Sequence, residues 1–135
     1  MLKLCFGGLL FACVLQLSST KMSVKIATFD EVKNLNKNVV LIDVREPSEL
    51  KEFGVIPGSI NIPLKDVEKA LKDLSSEEFG KLYGKNKPSL DTEIIFSCRS
   101  GRRSGLAADI AVKLGYQNVK NYQGSWLEWE QKIKE

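Results

Sequence analysis

The sequence predicts a single α/β domain built on a mostly parallel sheet flanked by helices. Two apolar, β-branched runs lack polar alternation, "NVVLIDV" at residues 38–44 and "TEIIFSC" at residues 92–98, as expected for strands that are buried on both faces. Helical patterns lie between and after these runs, and such alternation is typical of α/β proteins. The chain has 135 residues, which is enough for one domain with a self-sufficient core.

We place this domain at residues 22–135, because residues 1–21 have a different character. They run from a short basic start through an apolar stretch at residues 4–17 to small polar residues, the order of a secretory signal peptide. The apolar stretch is too short to predict a membrane span in the mature protein. A mitochondrial presequence and a cytosolic form that starts at Met22 are the alternatives. The compartment therefore stays open.

Local signals predict the first elements of the domain. Thr28, with Glu31 three residues later, predicts a capping box at the start of a short helix in "TFDEVKNL". The buried strand at residues 38–44 follows. The prolines and glycines of "GVIPGSINIPL" predict a turn that leads into an extended piece at residues 60–62.

Two helices are predicted before the second buried strand. Apolar residues recur at helical spacing in "LKDVEKALKDL", and the charged residues fall on the other face, which predicts an amphipathic helix. Ser75 with Glu78 predicts a capping box for the next helix, and Gly84 predicts its end.

The last third of the chain continues this alternation. After the strand at residues 92–98, "SGLAADIAVKLG" predicts a helix that begins near Ser104 and ends at Gly115. "NVKNYQG" predicts a third strand. "SWLEWEQKIKE" predicts a final amphipathic helix with Ser125 as its N-cap.

Composition excludes several classes of function. The chain has no histidine, which rules out Ser-His-Asp and Cys-His catalytic pairs and any histidine-ligated metal site. The net charge is +3, but Lys3 and Lys21 lie in the N-terminal segment. The domain is therefore almost neutral, and no nucleic-acid partner is predicted. The cysteines are too widely spaced for a zinc motif, and we predict no metal and no other cofactor.

Cys98 is the candidate reactive residue. Cys5 and Cys13 belong to the N-terminal segment, so its removal would leave Cys98 without a disulfide partner. Cys98 lies where a strand ends and a helix begins, and ligand sites in open α/β sheets form at the carboxyl ends of strands. Because amides and the dipole at a helix start stabilise negative charge, we expect a lowered pKa for Cys98.

The loop after Cys98, within "IIFSCRSGRRSG", is basic and contains two glycines. Three arginines follow the cysteine, and no acid occurs between residues 94 and 108, so we expect an electropositive cradle that also helps to ionise the thiol. Gly101 and Gly105 are expected to allow sharp turns. A cysteine after an apolar run is often a small core residue, and arginine runs are often solvated surface. The joint pattern of strand, cysteine, basic loop and helix favours a nucleophile.

Three motifs give the chain a family resemblance. "CRSGRRS" resembles the active-site loop of rhodanese-type sulfurtransferases, and "LIDVREPSEL" with "GVIPGSINIPL" resembles the upstream signature of that family. "GYQNVKNYQGSWLEW" is similar to its C-terminal end. The resemblance covers residues 24–132 and implies a single-domain, rhodanese-like fold. "LYGKNKPSLDTEIIFSCRSGRRS" is most similar to the small thiosulfate:glutathione sulfurtransferases.

This resemblance implies a thiosulfate sulfurtransferase. The Cys98 thiolate would take the outer sulfur of thiosulfate as a persulfide, and a thiol acceptor such as glutathione, or cyanide, would then remove it. A thioredoxin-like protein is a further acceptor. Asp43 and Arg45 match the "DVR" motif and are expected to support the structure. The residues that the resemblance assigns to substrate binding are Arg99, Ser100, Gly101, Arg102, Arg103 and Ser104. Arg99 or Arg103 is expected to contact the anion.

Other functions remain open at this point. Cysteine-dependent phosphatases and arsenate reductases place an arginine six positions after the cysteine, whereas Arg103 is one position short of that spacing. The smaller loop suits sulfur better than a tetrahedral phosphate. A non-catalytic rhodanese module used for binding is the non-enzyme alternative, although this chain keeps the loop cysteine. A persulfide carrier that passes sulfur to a protein partner is the third.

Overall fold

A parallel sheet of five strands organises residues 23–135, the part of the chain that this computed structural model describes. Its strands are β1 (Lys25–Ile26), β2 (Val40–Asp43), β3 (Ser59–Asn61), β4 (Glu93–Ser97) and β5 (Asn118–Asn121). They neighbour one another in the order β1-β5-β4-β2-β3, and every pair is parallel. The predicted fold class is confirmed. The predictions for residues 1–21, and for a domain boundary at residue 22, lie outside the described residues.

Six α-helices and one 3-10 turn connect these strands within residues 23–135. The helices are α1 (Phe29–Lys33), α2 (Pro47–Phe53), α3 (Val67–Lys72), α4 (Ser76–Tyr83), α5 (Arg102–Lys113) and α6 (Ser125–Lys132), and the 3-10 turn is Leu64–Asp66. None of the helices in this part of the chain is long and apolar enough to cross a bilayer.

The two central strands carry the core, because their side chains are buried on both faces of the sheet. Ile42 of β2 and Phe96 of β4 pack on one face with residues of α3, α4 and α5. Leu41 and Ile95 pack on the other face with residues of α1 and α6. Burying an apolar side chain of this size stabilises the fold by about 1.5–3 kcal/mol. This two-sided burial explains why both apolar runs lack polar alternation.

Two of the predicted helix caps form as expected and one forms in part. Ser75 and Glu78 exchange both hydrogen bonds of a capping box, each 3.1 Å long. The left-handed Gly84, at φ 73°, ends α4. Thr28 caps α1 by accepting from the Glu31 amide. The Glu31 carboxylate accepts instead from the Lys120 ammonium of β5 at 2.9 Å, so tertiary contact replaces the second half of that box.

The structure corrects several predicted elements. The sequence reasoning missed α2, which begins with Pro47 at its first turn and with the Glu49 carboxylate accepting from the Glu46 amide at 2.9 Å. That helix-start signal was present in "REPSEL". It also missed the two-residue β1, which has no apolar run of its own. The amphipathic helix predicted from "LKDVEKALKDL" is split into the 3-10 turn and α3.

Two predicted helix starts are also wrong. α5 begins at Arg102 rather than near Ser104, because Gly101 takes a left-handed conformation that redirects the chain at once into the helix. Gly124, not Ser125, is the N-cap of α6. The Ser125 hydroxyl is engaged elsewhere, because it donates to the Tyr122 carbonyl and accepts from the Cys98 amide.

Candidate active site

The carboxyl ends of β2 and β4 lie side by side, since Asp43 pairs with Ser97 in the register of the sheet. Cys98 follows Ser97 directly, and Arg45 follows Asp43 after one residue. The parallel sheet thus brings the candidate nucleophile and the "DVR" motif to the same edge. Ligand sites of α/β proteins form at this edge.

Donors from the next turn surround the sulfur of Cys98. The Gly101 amide donates to Cys98 Sγ at 3.1 Å, and the Ser104 hydroxyl lies 3.3 Å from it. The Ser125 hydroxyl is 3.9 Å from the sulfur and accepts from the Cys98 amide at 3.0 Å. Cys98 is only 1% exposed, so protein groups replace most of the water around the thiol.

The pKa of Cys98 is lowered from its ordinary value. Burial alone raises the pKa, but the hydrogen bonds from the Ser104 hydroxyl and from the amides of Ser104, Gly101 and Ser100 outweigh it. Each of these donors favours the thiolate over the thiol. We expected amides and arginines to share this effect. The hydrogen-bond donors are amides and serine hydroxyls, and no arginine within residues 23–135 donates to the sulfur. Arg103 interacts with Cys98 through its charge alone.

Gly101 is required by the shape of the loop. Its φ is 94°, and a Cβ at this position would collide with the carbonyl of Gln123 in the loop after β5. The Asn121 side-chain amide donates to the Gly101 carbonyl at 3.1 Å, which ties the turn to β5. Gly105 does not make a turn, contrary to our expectation, because it lies inside α5.

The three arginines of the loop have different environments. Arg103 forms two parallel hydrogen bonds to the carboxylate of Glu49 in α2, at 2.7 and 2.8 Å. Arg99 is exposed, and its guanidinium lies 5.2 Å from the centroid of the Phe53 ring. Arg102 is exposed at the first position of α5. The loop segment itself has no acid, but the fold supplies one from α2.

Asp43 and Arg45 form a buried ion pair beside the loop. Arg45 donates to both carboxylate oxygens of Asp43, with a shortest distance of 2.7 Å, and both side chains are 1% exposed. Arg45 also donates to the Gly54 carbonyl at 2.9 Å and lies over the Trp126 ring. The Asn61 side-chain amide donates to the carbonyls of Asp43 and Arg45. This network joins the end of β2 to the segment after α2 and to α6.

Two residues at the site were missed by the sequence analysis, Glu49 and Ser125. Glu49 is 54 positions from Arg103, and Ser125 is 27 positions from Cys98. The capping pattern of α2 indicates that Glu49 starts a helix, but it does not indicate the arginine partner. Ser125 has a positive φ of 50°, which is uncommon for a residue other than glycine.

Comparison with known proteins identifies the family. The model of the rhodanese-like domain matches residues 28–132. The chain belongs to the rhodanese family. This rhodanese is 42% identical over 120 residues to the thiosulfate sulfurtransferase RDL2, mitochondrial, of Saccharomyces cerevisiae, covering 86% of this chain and 78% of that protein.

Two further relatives support this assignment. The thiosulfate:glutathione sulfurtransferase of S. cerevisiae is 39% identical over 116 residues, covering 83% of this chain and 82% of that protein. The structure of the human single-domain sulfurtransferase TSTD1 superposes with a TM-score of 0.74 at 34% identity, covering 82% of this chain and 98% of that one. The predicted likeness to single-domain rhodaneses is confirmed, as is the expectation of an enzyme of the thiosulfate sulfurtransferase type.

Proposed function

We propose that this rhodanese moves the sulfane sulfur of thiosulfate to a thiol acceptor through a persulfide on Cys98. The observation that carries the proposal is the position of the Cys98 sulfur, which lies at the start of α5 under the Gly101 amide and the Ser104 hydroxyl. A thiol in such a place has a lowered pKa and needs no histidine base. This fits a chain that contains no histidine.

The first half-reaction forms one S–S bond and breaks another. The Cys98 thiolate attacks the outer sulfur of thiosulfate, and a bond forms between Cys98 Sγ and that sulfur. The S–S bond of thiosulfate breaks, and sulfite leaves with the electron pair. The product is an anionic persulfide, which the amides and the Ser104 hydroxyl stabilise as they stabilise the thiolate.

The loop supplies the remaining contacts to the anion. Ser100, Gly101 and Ser104 contribute amides or a hydroxyl to the reacting sulfur. Arg99 and Arg102 are exposed and not ion-paired among the described residues, so they are our candidates for the sulfonate oxygens. Arg103 is a weaker candidate for direct contact because Glu49 already occupies its guanidinium.

Asp43 and Arg45 have a supporting role in this proposal. Their charges are directed at each other and lie within the protein interior, so neither is available to the substrate. Through Gly54 and Trp126 they hold the segments that surround the loop.

In the second half-reaction an acceptor thiolate attacks the outer sulfur of the persulfide. A new S–S bond forms on the acceptor, and the Cys98 thiolate leaves with the electron pair, which regenerates the enzyme. Glutathione is the acceptor to test first, because a relative carries it in its name. Cyanide would leave as thiocyanate by the same displacement, and a thioredoxin-like protein remains an acceptor to be tested.

The alternatives are less well supported. A phosphatase or arsenate reductase needs a longer loop than the one between Cys98 and Arg103, and the relatives described above are sulfurtransferases. A binding module needs no thiol with a lowered pKa. A persulfide carrier shares the first half-reaction and differs only in the acceptor.

Intact-mass analysis tests the first half-reaction. Reduced protein treated with thiosulfate should gain one sulfur atom, and Cys98→Ser should gain none. As a matched control, the double variant Cys5→Ser/Cys13→Ser should gain the sulfur as the natural chain does. No adduct on reduced, folded protein, or an adduct that survives Cys98→Ser, would refute the proposal.

The second half-reaction is tested on the loaded protein. Glutathione should remove the added sulfur and yield glutathione persulfide, and cyanide should remove it and yield thiocyanate. If neither small acceptor discharges the protein while thioredoxin does, the carrier function replaces turnover on glutathione.

A further inference from the structure

Glu49 is an acid that the fold brings to the Cys98 loop, and the proposed reaction gives it no role. Its two carboxylate oxygens accept from the two terminal nitrogens of Arg103 at 2.7 and 2.8 Å. Paired hydrogen bonds of this kind fix orientation as well as distance. One of the same oxygens accepts from the Glu46 amide at 2.9 Å. The carboxylate therefore joins the start of α2 to the start of α5.

The first turn of α5 is also the turn that surrounds the thiol. Arg103 is the second residue of this helix, and its neighbour Ser104 places a hydroxyl 3.3 Å from Cys98 Sγ. Gly101, the residue before the helix, places its amide 3.1 Å from the same sulfur. A movement of the Arg103 backbone would move both donors away from the sulfur.

We propose that Glu49 is a positioning residue, whose two-point ion pair with Arg103 holds the first turn of α5 against the sulfur of Cys98. The pair also keeps the Arg103 guanidinium occupied, so that contact to the sulfonate falls to Arg99 and Arg102. Only this second consequence rests on the proposed function. The positioning of the thiol can be tested without thiosulfate.

The ion pair of Glu49 and Arg103 persists over a wide range of pH. The hydrogen bond from Arg103 is the chief cause that lowers the pKa of Glu49 to about 2, against the opposing effect of burial. The carboxylate therefore stays ionised, and the pair stays formed, through the neutral and mildly acidic range. Mild acid does not release Arg103.

A positioning role of Glu49 and a purely electrostatic role predict opposite changes in the pKa of Cys98. The charged groups around the thiol are Glu49 of α2, Arg103 of α5, the buried pair Asp43 and Arg45 after β2, and the loop residues Arg99 and Arg102. If Glu49 acts only through its negative charge, its removal lowers the pKa of Cys98, because a nearby negative charge disfavours the thiolate. If Glu49 positions the donors, its removal raises that pKa.

The pH dependence of Cys98 alkylation by iodoacetamide, a neutral reagent, separates these cases. The measurement uses a Cys5→Ser/Cys13→Ser background, so that Cys98 is the only thiol. In Glu49→Gln the amide can keep the capping acceptor of α2 but loses the charged pair. Without the pair, the Gly101 amide and the Ser104 hydroxyl should move away from the sulfur of Cys98. We expect the alkylation pKa of Cys98 to rise by about one unit, the change that follows when a thiolate loses one hydrogen bond, with about tenfold less thiolate below the pKa.

Two variants complete the design. Arg103→Lys keeps the positive charge but cannot form the two parallel hydrogen bonds to Glu49. A positioning role therefore predicts a raised pKa for Cys98, and a role of charge alone predicts no change in that pKa. Glu52→Gln removes an exposed acid from the same helix and should leave the profile unchanged. Circular dichroism shows whether each variant folds. If Glu49→Gln does not fold, Arg103→Lys decides.

An unchanged or lowered pKa in folded Glu49→Gln, or an unchanged pKa in Arg103→Lys, would overturn the positioning role. The persulfide assay can fail while these alkylation shifts appear, and the reverse can also occur. The two proposals therefore stand or fall separately.

Discussion

The carboxyl ends of β2 and β4 are neighbours in the sheet, yet they handle charge in opposite ways. After β2, Asp43 and Arg45 neutralise each other in a buried pair with an N–O distance of 2.7 Å. After β4, the Cys98 sulfur is held by hydrogen bonds from amides and serine hydroxyls, and no cation of the described residues donates to it. A charge that has a fixed counter-ion is suited to support, whereas a charge that is held by dipoles stays available for reaction.

This contrast assigns stability mainly to one strand end and reactivity mainly to the other. Variants at the β2 end should unfold the protein before they affect the chemistry. Variants at the β4 end should change the chemistry with smaller losses of stability.

The largest effect is expected for Arg45→Ala. It leaves Asp43 buried and unpaired, and it removes the contacts of Arg45 with Gly54 and Trp126. Breaking a buried pair from one side costs about 3–5 kcal/mol, and urea unfolding measures it. Arg102→Ala, which removes an exposed arginine, should change stability by less than about 0.5 kcal/mol. Equal losses in the two variants would erase the contrast between the strand ends.

Gly101→Ala should affect both stability and chemistry, because the glycine fixes the shape of the loop. The new Cβ meets the Gln123 carbonyl at a φ of 94°, so the loop must shift away from the sulfur. We expect a loss of about 1–3 kcal/mol in the free energy of unfolding and a persulfide-forming rate reduced by at least about tenfold.

Gly105→Ala is the matched control for Gly101→Ala. This glycine lies inside α5, where its nearest new contact would be 3.4 Å away, and alanine is favoured over glycine in helices by about 0.5–1 kcal/mol. The control should retain persulfide formation and gain a little stability. If Gly101→Ala reacts as fast as Gly105→Ala, the loop shape is not required.

Ser104→Ala should change the thiol more than it changes the fold. Loss of the hydroxyl at 3.3 Å should raise the pKa of Cys98 by about one unit, as measured by alkylation against pH. Ser100→Ala removes a hydroxyl that does not contact the sulfur and should leave this pKa unchanged. Equal profiles for the two serine variants would show that amides alone ionise the thiol.

The same variant should change how stability depends on pH. Because the pKa of Cys98 is lower in the folded chain than its ordinary value of 9.0, ionisation adds stability that is fully present above the unfolded pKa. That stability is lost as the pH falls through the folded pKa. Ser104→Ala brings the pKa of Cys98 in the folded chain closer to its pKa in the unfolded chain. The free energy of unfolding of this variant should therefore rise less with pH than that of the natural chain.

Local patterns predicted the central part of this molecule. The unbroken apolar runs indicated β2 and β4, and the change from strand to glycine-bearing basic loop indicated where Cys98 lies. These features depend on neighbours within a few residues. The capping box of Ser75 and the stop at Gly84 were predictable for the same reason.

The partners of the loop could not be predicted in the same way. Glu49 reaches Arg103, and Ser125 reaches the Cys98 amide, only after the sheet has brought distant segments together. The sequence reasoning expected amides and arginines to lower the pKa of Cys98 together, whereas the chief causes in the structure are hydrogen bonds from amides and the Ser104 hydroxyl. The roles assigned to Cys98, to residues 99–104 and to Asp43 and Arg45 stay predictions until variants are measured.

The smallest effect is expected for Arg99→Ala. Arg99 is exposed and rests on Phe53, and an exposed ionic contact contributes up to about 1 kcal/mol. That corresponds to an increase in the KM for thiosulfate of up to about fivefold. The value of kcat should stay constant, because a contact to the sulfonate is present in both the ground and transition states. The effect should shrink at high salt, since dissolved ions screen the exposed charge of Arg99.

Phe53→Leu separates the effect of the Arg99 charge from the effect of its contact with the Phe53 ring. It removes the aromatic ring under the guanidinium and keeps the cation, so KM should rise less than in Arg99→Ala. If Arg99→Ala instead lowers kcat at constant KM, Arg99 acts on the departing sulfite in the transition state. Arg99 would then stabilise the transition state together with the amides, and it would not serve only to bind thiosulfate.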